Sequence, residues 1–412
     1  MKIREEKYYL TYFIPLYLLL LLPFPSSLVG YSVALWINDF ILMGYLIFLI
    51  VTKKFKVPRK KMTIVWLCLL VILNIVGIIN SIIRGNISSL RVLSELVRTF
   101  EFFLIYIYFI NLFRILKENR ATIENVIKSN LIIVSSCVFF ISFIELFNFP
   151  LKELLRNLYE MGKSGNIYQH YNRIVGTLRN PNFFGIWLAI TIVFFYTVNL
   201  KIIWRLVLLV IPLIYLFFTG SRTSWVLAVV SLAIVVLIQL FLKKGKKIYS
   251  IAIIGLVTLT FVIIYTNYET LFYSVRFNWN LTDILTLGGR TEIWGMYLEE
   301  IKRNIIFGVG INKGDDIVFD NLFLQYMYFY GVFGVIFLLL FFCRNLGSNI
   351  KLLLLRKKDN LLIFVLGMQL IFIFSSFTIQ IFDVLQITFF YIMGLAYLDY
   401  LRLYERDEHI HN

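Results

Sequence analysis

Cysteine, histidine and charged residues, which supply most enzyme chemistry, are scarce in this chain. Its 412 residues include 3 cysteines and 3 histidines, and only 16% are charged. Cys68, Cys137 and Cys343 all fall in long apolar runs, so we expect packing residues and neither disulfides nor a metal site. The sequence also has no G-x-x-x-x-G-K-[ST] loop and no D-x-D pair. These absences argue against a nucleotide-driven machine and predict chemistry without a metal or another cofactor.

Long apolar runs dominate the sequence instead. Apolar residues make up 60% of the chain, and the mean hydropathy is +0.81. The runs are roughly 17–22 residues long, which is enough for a helix to cross about 30 Å of hydrocarbon. We therefore predict an all-α, polytopic integral membrane protein with about twelve transmembrane helices. The predicted spans are 8–24, 31–51, 62–83, 92–113, 129–149, 183–199, 202–218, 223–242, 248–266, 322–343, 361–377 and 381–401.

The positive charge of the chain is concentrated in short clusters between the apolar runs. The net charge is +16, and basic residues gather in 53–61, 243–247 and 356–358. Such clusters mark the cytoplasmic side of a membrane protein, and this distribution argues against nucleic acid as a partner. We expect a multi-pass protein of the cytoplasmic (inner) membrane with both termini in the cytoplasm.

The chain reads as a single membrane domain over 1–412, without a linker or an internal repeat. Two connections, 150–182 and 267–321, are longer than the others and are predicted to be extracytoplasmic. Apolar residues at helical spacing predict a short amphipathic helix in each of these connections. They are Leu151, Leu154, Leu155 and Leu158 in the first, and Ile293, Trp294, Tyr297, Leu298 and Ile301 in the second.

Charged residues also occur inside predicted spans, where they are costly and often functional. Glu95, Arg98 and Glu101 share one helical face and are predicted to pair with each other. Asp39, Glu145 and Asp383 are candidates for lining an internal cavity.

Several arginines and one carboxylate are predicted to meet on the extracytoplasmic face. Guanidinium groups bind phosphate oxygens bidentately and stay charged at any working pH. They can hold a diphosphate without a metal and stabilise the charge that develops as it leaves. The residues are Arg173 and Arg179 in R-I-V-G-T-L-R-N-P-N, Arg222 in T-G-S-R-T, Arg290 in G-G-R-T-E-I-W, and Asp320 before Asn321.

Each of these residues also has a plainer interpretation. Asp320 can cap the helix predicted to begin at 322, or it can accept a proton from a sugar hydroxyl. Arg222 can anchor a helix end to lipid phosphate, and Arg290 can be an ordinary exposed arginine. His170 is an alternative base, because histidine titrates near neutrality.

The same motifs resemble the O-antigen polymerase and ligase family of bacterial surface polysaccharide assembly. The resemblance covers roughly 173–334 and rests on R-I-V-G-T-L-R-N-P-N-F-F-G, T-G-S-R-T, G-G-R-T-E-I-W, F-G-V-G, D-N-L-F-L-Q-Y and G-V-F-G-V. It implies inverting transfer of glycan from an undecaprenyl-diphosphate carrier to an acceptor hydroxyl outside the cytoplasm. Family ligases commonly carry His-Asn where this chain has Asp320-Asn321, which favours a polymerase.

The sequence therefore predicts a polysaccharide polymerase for O-antigen, capsule or exopolysaccharide, whose donor and acceptor are both lipid-linked. Asp320, Arg290 and Arg222 are the candidate catalytic residues. The candidate substrate-binding residues are Arg173, Arg179, Asn182 and Asn321. The expected partners are the lipid-linked donor and acceptor and the bilayer, with a chain-length regulator and a flippase of the same pathway as further candidates.

Three alternatives to the polymerase stay open. The first is an O-antigen ligase-type transferase. The second is a flippase of lipid-linked oligosaccharide, although transporters tend to have internal repeats and charged sites near the midplane of the membrane. The third is a scaffold within an envelope complex.

Overall fold

The computed structural model describes residues 62–85, 93–116, 120–147, 173–178, 180–242, 290–311, 319–356 and 359–410, with a few positions between 42 and 51 and at 151 and 255. No strand occurs in these ranges, which confirms the all-α prediction. The helices are α1 (Met62–Ile83), α2 (Ser94–Ile115), α3 (Arg120–Leu146), α4 (Pro181–Thr197), α5 (Ile202–Phe218), α6 (Arg222–Leu242), α7 (Arg290–Arg303), α8 (Leu322–Tyr330), α9 (Val332–Leu355), α10 (Asn360–Ser375) and α11 (Leu385–Ile410), with a 3-10 turn at Ile381–Asp383.

Within the described ranges, five helical segments are long and apolar enough to cross a membrane, so the chain is a membrane protein. They are Met62–Ile83, Glu95–Ile115, Ile123–Leu146, Arg222–Leu242 and Val332–Leu355, and α4, α5 and α10 are shorter apolar helices. The figure of about twelve spans stays a prediction. The predicted span 8–24 lies outside the described residues. So do most of 31–51, all but position 255 of 248–266, and all but position 151 of the predicted helix at 151–158.

Two expectations from the sequence are wrong. The predicted span 322–343 is not one helix, because Gly331 interrupts it with φ +65° and ψ −153°, a conformation that essentially only glycine adopts. The three cysteines are not interior packing residues, because Cys68, Cys137 and Cys343 are free thiols with exposed side chains. Outward positions on membrane helices contact lipid, so a small apolar side chain suits them as well as an interior position does.

The described residues fall into two compact units. The first consists of residues within Leu112–Phe277 and Ile350–Ile371, together with the described positions between 42 and 51. The second consists of residues within Lys53–Asn111, Asn278–Asn349 and Phe372–Asn412. The prediction of one membrane domain over the whole chain stays a prediction.

Helix α4 is the central helix of the first unit, and α5 and α6 both pack against it. Its start is well specified, because the side chain of Asn180 accepts a hydrogen bond from the Asn182 N–H at 2.8 Å and Pro181 occupies the first turn. A Cβ atom on Gly185 would lie 2.4 Å from the Ser224 hydroxyl oxygen. The absence of a side chain at Gly185 therefore lets the starts of α4 and α6 lie close together.

The second unit contains a half-buried ionic group that joins α2 to the 3-10 turn. Arg98 donates to the Glu95 carboxylate at 3.1 Å and to the Asp383 carboxylate at 2.5 Å. The predicted pairing of Arg98 with Glu95 is thereby confirmed. Pairing with Asp383 was not predicted, because that residue lies 285 positions further along the chain.

The connection after α7 satisfies backbone groups around the break at Gly331. The Val309 and Gly310 N–H groups donate to the carbonyls of Tyr328 and Phe329 at 2.7 and 3.2 Å, and the Val332 N–H donates to the Ile305 carbonyl at 2.8 Å. Val309, Gly310, Tyr328 and Phe329 are buried, so their backbone groups need partners within the protein.

The end of α1 holds this connection from its other side. The side-chain amide of Asn80 donates to the carbonyls of Phe307 and Gly308 at 3.1 and 2.9 Å, and the Ser81 hydroxyl donates to the Ile311 carbonyl at 2.9 Å. The F-G-V-G motif, in which the sequence showed only a polar connection, is therefore a packing element between α1 and α8.

We predict that Gly331→Ala destabilises the protein by about 2 kcal/mol or more, because φ +65° is strained for alanine. The new Cβ would also lie 2.3 Å from the Ile306 carbonyl oxygen, and a backbone atom there cannot easily move. The thermal unfolding midpoint of the detergent-solubilised protein measures this loss.

Gly347→Ala is the matched control, because Gly347 lies within α9 and a Cβ there would meet no atom within 4 Å. It should leave the midpoint unchanged or raise it, since alanine favours a helix over glycine by about 1 kcal/mol. Equal midpoints for the two variants would contradict this account of the break.

Candidate functional site

Arg173 lies in the first unit, in a short connection (residues 173–178, here called the 173 loop) before α4. Its Nε donates to the Thr219 carbonyl at 2.6 Å, and its Nη2 donates to the side-chain oxygen of Asn182 at 3.1 Å. Thr219 belongs to the turn between α5 and α6, and Asn182 belongs to the first turn of α4. The two bonds fix the orientation of the guanidinium group against both elements.

Arg222 is the first residue of α6, directly after that turn. Two residues later, the Ser224 hydroxyl donates to the Asn182 backbone carbonyl at 3.2 Å. Arg173, Asn182 and Arg222 therefore lie at the same end of the α4–α6 pair. The N-termini of both helices lie at this end, and their dipoles favour bound anions there.

Glu145 supports the 173 loop from α3. Its carboxylate accepts hydrogen bonds from the Val175 N–H at 3.0 and 3.2 Å and from the Gly176 N–H at 3.0 Å. The side chain is buried, with the residue only 6% exposed. Sequence analysis identified Glu145 only as a candidate for lining an internal cavity, because nothing local relates it to a loop some thirty positions later.

In the second unit, Asn321 and not Asp320 provides the side-chain cap of α8. The Asn321 side-chain oxygen accepts a hydrogen bond from the Leu324 N–H at 3.0 Å, and its backbone is extended as the N-cap position requires. The side-chain cap that the sequence suggested for Asp320 therefore comes from Asn321, and a proton-accepting role for Asp320 stays a prediction. Asp320 is half-buried and directly precedes the cap.

Aromatic rings pack α7 against α8 and the segment that precedes it. The ring centroids of Tyr297 and Phe319 are 4.8 Å apart, and those of Phe319 and Tyr328 are 5.0 Å apart. The Tyr328 hydroxyl also donates to the Glu300 carboxylate at 2.8 Å. Because Phe319 is next to Asp320, this packing holds the carboxylate-bearing segment beside α7, the helix that begins with Arg290.

The predicted site residues thus divide between the two units. The first unit brings Arg173, Asn182 and Arg222 together. The second contains Asp320, Asn321 and the backbone of Arg290, whose side chain lies outside the described part, as do Arg179 and His170. The convergence of all these residues on one substrate stays a prediction. Among the described residues, no group of three or more His, Cys, Asp or Glu side chains is placed to hold a metal ion.

The fold and these residues define an all-helical membrane protein with an arginine-lined helix end. The model of the O-antigen ligase family matches residues 207–339. This match confirms the resemblance to the O-antigen polymerase and ligase family, and it indicates a glycan-processing membrane protein. The matched stretch contains Arg222, Arg290, Asp320 and Asn321, and Arg173 and Asn182 lie before it. No match was found among curated proteins.

We predict that Asn321→Ala lowers the stability of the protein by about 1 kcal/mol, because it removes the N-cap bond of α8. Asp320→Ala leaves that bond in place and should cost less. Thermal unfolding of the two purified variants in the same detergent compares the two losses. A larger loss for Asp320→Ala would show that Asp320 has the greater structural role.

Proposed function

We propose that the chain is a polysaccharide polymerase that transfers glycan from an undecaprenyl-diphosphate-linked donor to a lipid-linked repeat unit. The observation that carries the proposal is the double anchoring of Arg173 between the start of α4 and the turn before Arg222. An oriented guanidinium beside two helix N-termini suits a diphosphate, because charge and hydrogen-bond geometry both match. The family match supports the reaction class.

In this proposal the arginines act on the leaving group. Arg173 and Asn182 position the donor diphosphate, and Arg222 and Arg290 stabilise the negative charge that it gains as its bond to the sugar C1 breaks. Arg179 would add a further contact. Guanidinium groups stay charged throughout, so this stabilisation involves no proton transfer.

Asp320 acts on the acceptor in this proposal. Its carboxylate accepts the proton of the acceptor hydroxyl while that oxygen forms the new bond to C1, with inversion at this carbon. The diphosphate carrier leaves with the electron pair of the broken bond. The side-chain cap of α8 itself comes from Asn321. Asn321 would help to orient the acceptor.

Arg222→Ala and Arg290→Ala should each reduce polymer formation by at least about a hundredfold, because each removes a donor to the developing charge. The assay is incubation of the purified protein with defined lipid-linked repeat units, followed by sizing of the products. Lys201→Ala and Arg303→Ala are matched controls, since both remove an exposed basic side chain at the start of α5 or the end of α7. Long chains at normal levels from Arg290→Ala would refute its role.

Asp320→Asn should abolish polymer formation while leaving the unfolding midpoint close to that of the wild type. The amide keeps the size of the carboxylate but cannot accept the acceptor proton. Product sizing and thermal unfolding of the same preparation measure the two effects. A fully active Asp320→Asn protein would restrict Asp320 to orienting the acceptor.

The alternatives predict different products in cells. A polymerase null mutant should still export single repeat units, one on each carrier, whereas a flippase null mutant should export none. A ligase would transfer glycan to an acceptor that is not a lipid-linked repeat unit, so purified protein with repeat units alone would form no polymer. A scaffold would tolerate all of these substitutions.

A further inference from the structure

We infer that Glu145 is a positioning residue of the arginine site. Its buried carboxylate holds the 173 loop and thereby fixes the guanidinium group of Arg173. This inference rests on the proposed function, in which that guanidinium group binds the donor diphosphate. Glu145 itself would not touch the substrate.

The hydrogen bonds to Glu145 are charge-assisted, because their acceptor is a carboxylate. Three N–H···O contacts of 3.0–3.2 Å join one carboxylate to two successive backbone N–H groups. Hydrogen bonds to an ionised acceptor are roughly twice as strong as bonds between neutral groups. Burial of a carboxylate in an apolar helix is costly, so these bonds offset a penalty that an apolar residue at 145 would avoid.

The two N–H groups form a concave anion site that the protein's own carboxylate occupies. Successive backbone N–H groups near a left-handed residue commonly bind anions, and Gly176 has φ +54°. A Cβ atom at Gly176 would lie 2.6 Å from the Phe184 ring, so α4 packs directly against this part of the loop. With Glu145 in place, a substrate phosphate does not bind these amides, and the loop acts as a support.

The restraint extends directly to Arg173. The Ile174 N–H donates to the Phe218 carbonyl at 3.1 Å, and the Arg173 side chain donates to the next carbonyl, that of Thr219. Glu145 therefore fixes the loop from α3 at residues 175 and 176, while the end of α5 fixes it at 173 and 174. Loss of the carboxylate would release one of these two attachments and leave Arg173 on a looser backbone.

A double-mutant cycle separates positioning from general stability. Glu145→Ala, Arg173→Ala and the double variant are purified at full length in lipid nanodiscs, and binding of radiolabelled undecaprenyl diphosphate is measured. Each single variant should bind about tenfold more weakly than the wild type. The double variant should bind within about twofold of Arg173→Ala, because Glu145 acts through that residue.

Asp399→Ala is the matched control. It also removes a buried carboxylate, one that accepts hydrogen bonds from Thr63 and Tyr106 in the second unit. It should lower the unfolding midpoint without changing the affinity for the diphosphate. If Glu145→Ala proves too unstable to purify, Glu145→Gln replaces it, and its affinity should be intermediate. Amide exchange at 175 and 176 should then be faster than in the wild type.

The outcomes distinguish this inference from the proposed function. If the wild type does not bind the diphosphate, or if Arg173→Ala and Arg222→Ala bind it normally, the proposed function fails. If those variants bind weakly but Glu145→Ala binds normally, only the role of Glu145 is overturned. The role of Glu145 would also be overturned if the affinity losses of the two single variants multiplied in the double variant. Unchanged amide exchange in Glu145→Gln would overturn it as well.

Discussion

The need to satisfy backbone hydrogen bonds away from water governs the second unit. The helix that begins at Leu322 stops after nine residues, and its last carbonyls need donors. The connection after α7 supplies those donors, and the end of α1 holds that connection in turn. Glycine is needed at Gly308 and Gly331 because the two backbones approach so closely that a Cβ atom would overlap them. Lipid offers neither donors nor acceptors, so in a membrane protein the partners of buried backbone groups must come from the protein itself.

The same constraint applies to the 173 loop of the first unit. There an acidic side chain, and not another stretch of backbone, accepts the loop N–H groups. In both units an irregular segment is held on two sides, and in the first unit that segment carries Arg173. A reaction that depends on charge stabilisation requires such support, because a displaced guanidinium group loses most of its ability to stabilise the developing charge.

Much of the fold could be predicted from the sequence, because local signals set the helix ends. The predicted spans 62–83 and 202–218 have the same bounds as α1 and α5. Asn180 and Pro181 mark the start of α4, and Asn321 marks the start of α8, by capping chemistry that is visible in the sequence. The break at Gly331 was missed because single glycines are common in membrane helices, and only the neighbouring backbone distinguishes this one.

The candidate site was less predictable than the fold. Of the residues that the sequence proposed for a diphosphate site, Arg173, Asn182 and Arg222 lie at one end of the α4–α6 pair. Their supports were not identified, because Glu145 and the 173 loop are joined only in three dimensions, and Asp383 pairs with Arg98 across 285 positions.

The sequence by itself determined the class of protein, since long apolar runs are stable only as helices in lipid. It also determined the family resemblance. Only the tertiary structure decided which carboxylate supports a loop, which residue caps α8 and where a predicted span breaks. These depend on partners distant along the chain, and hydrophobic periodicity carries no information about such pairings.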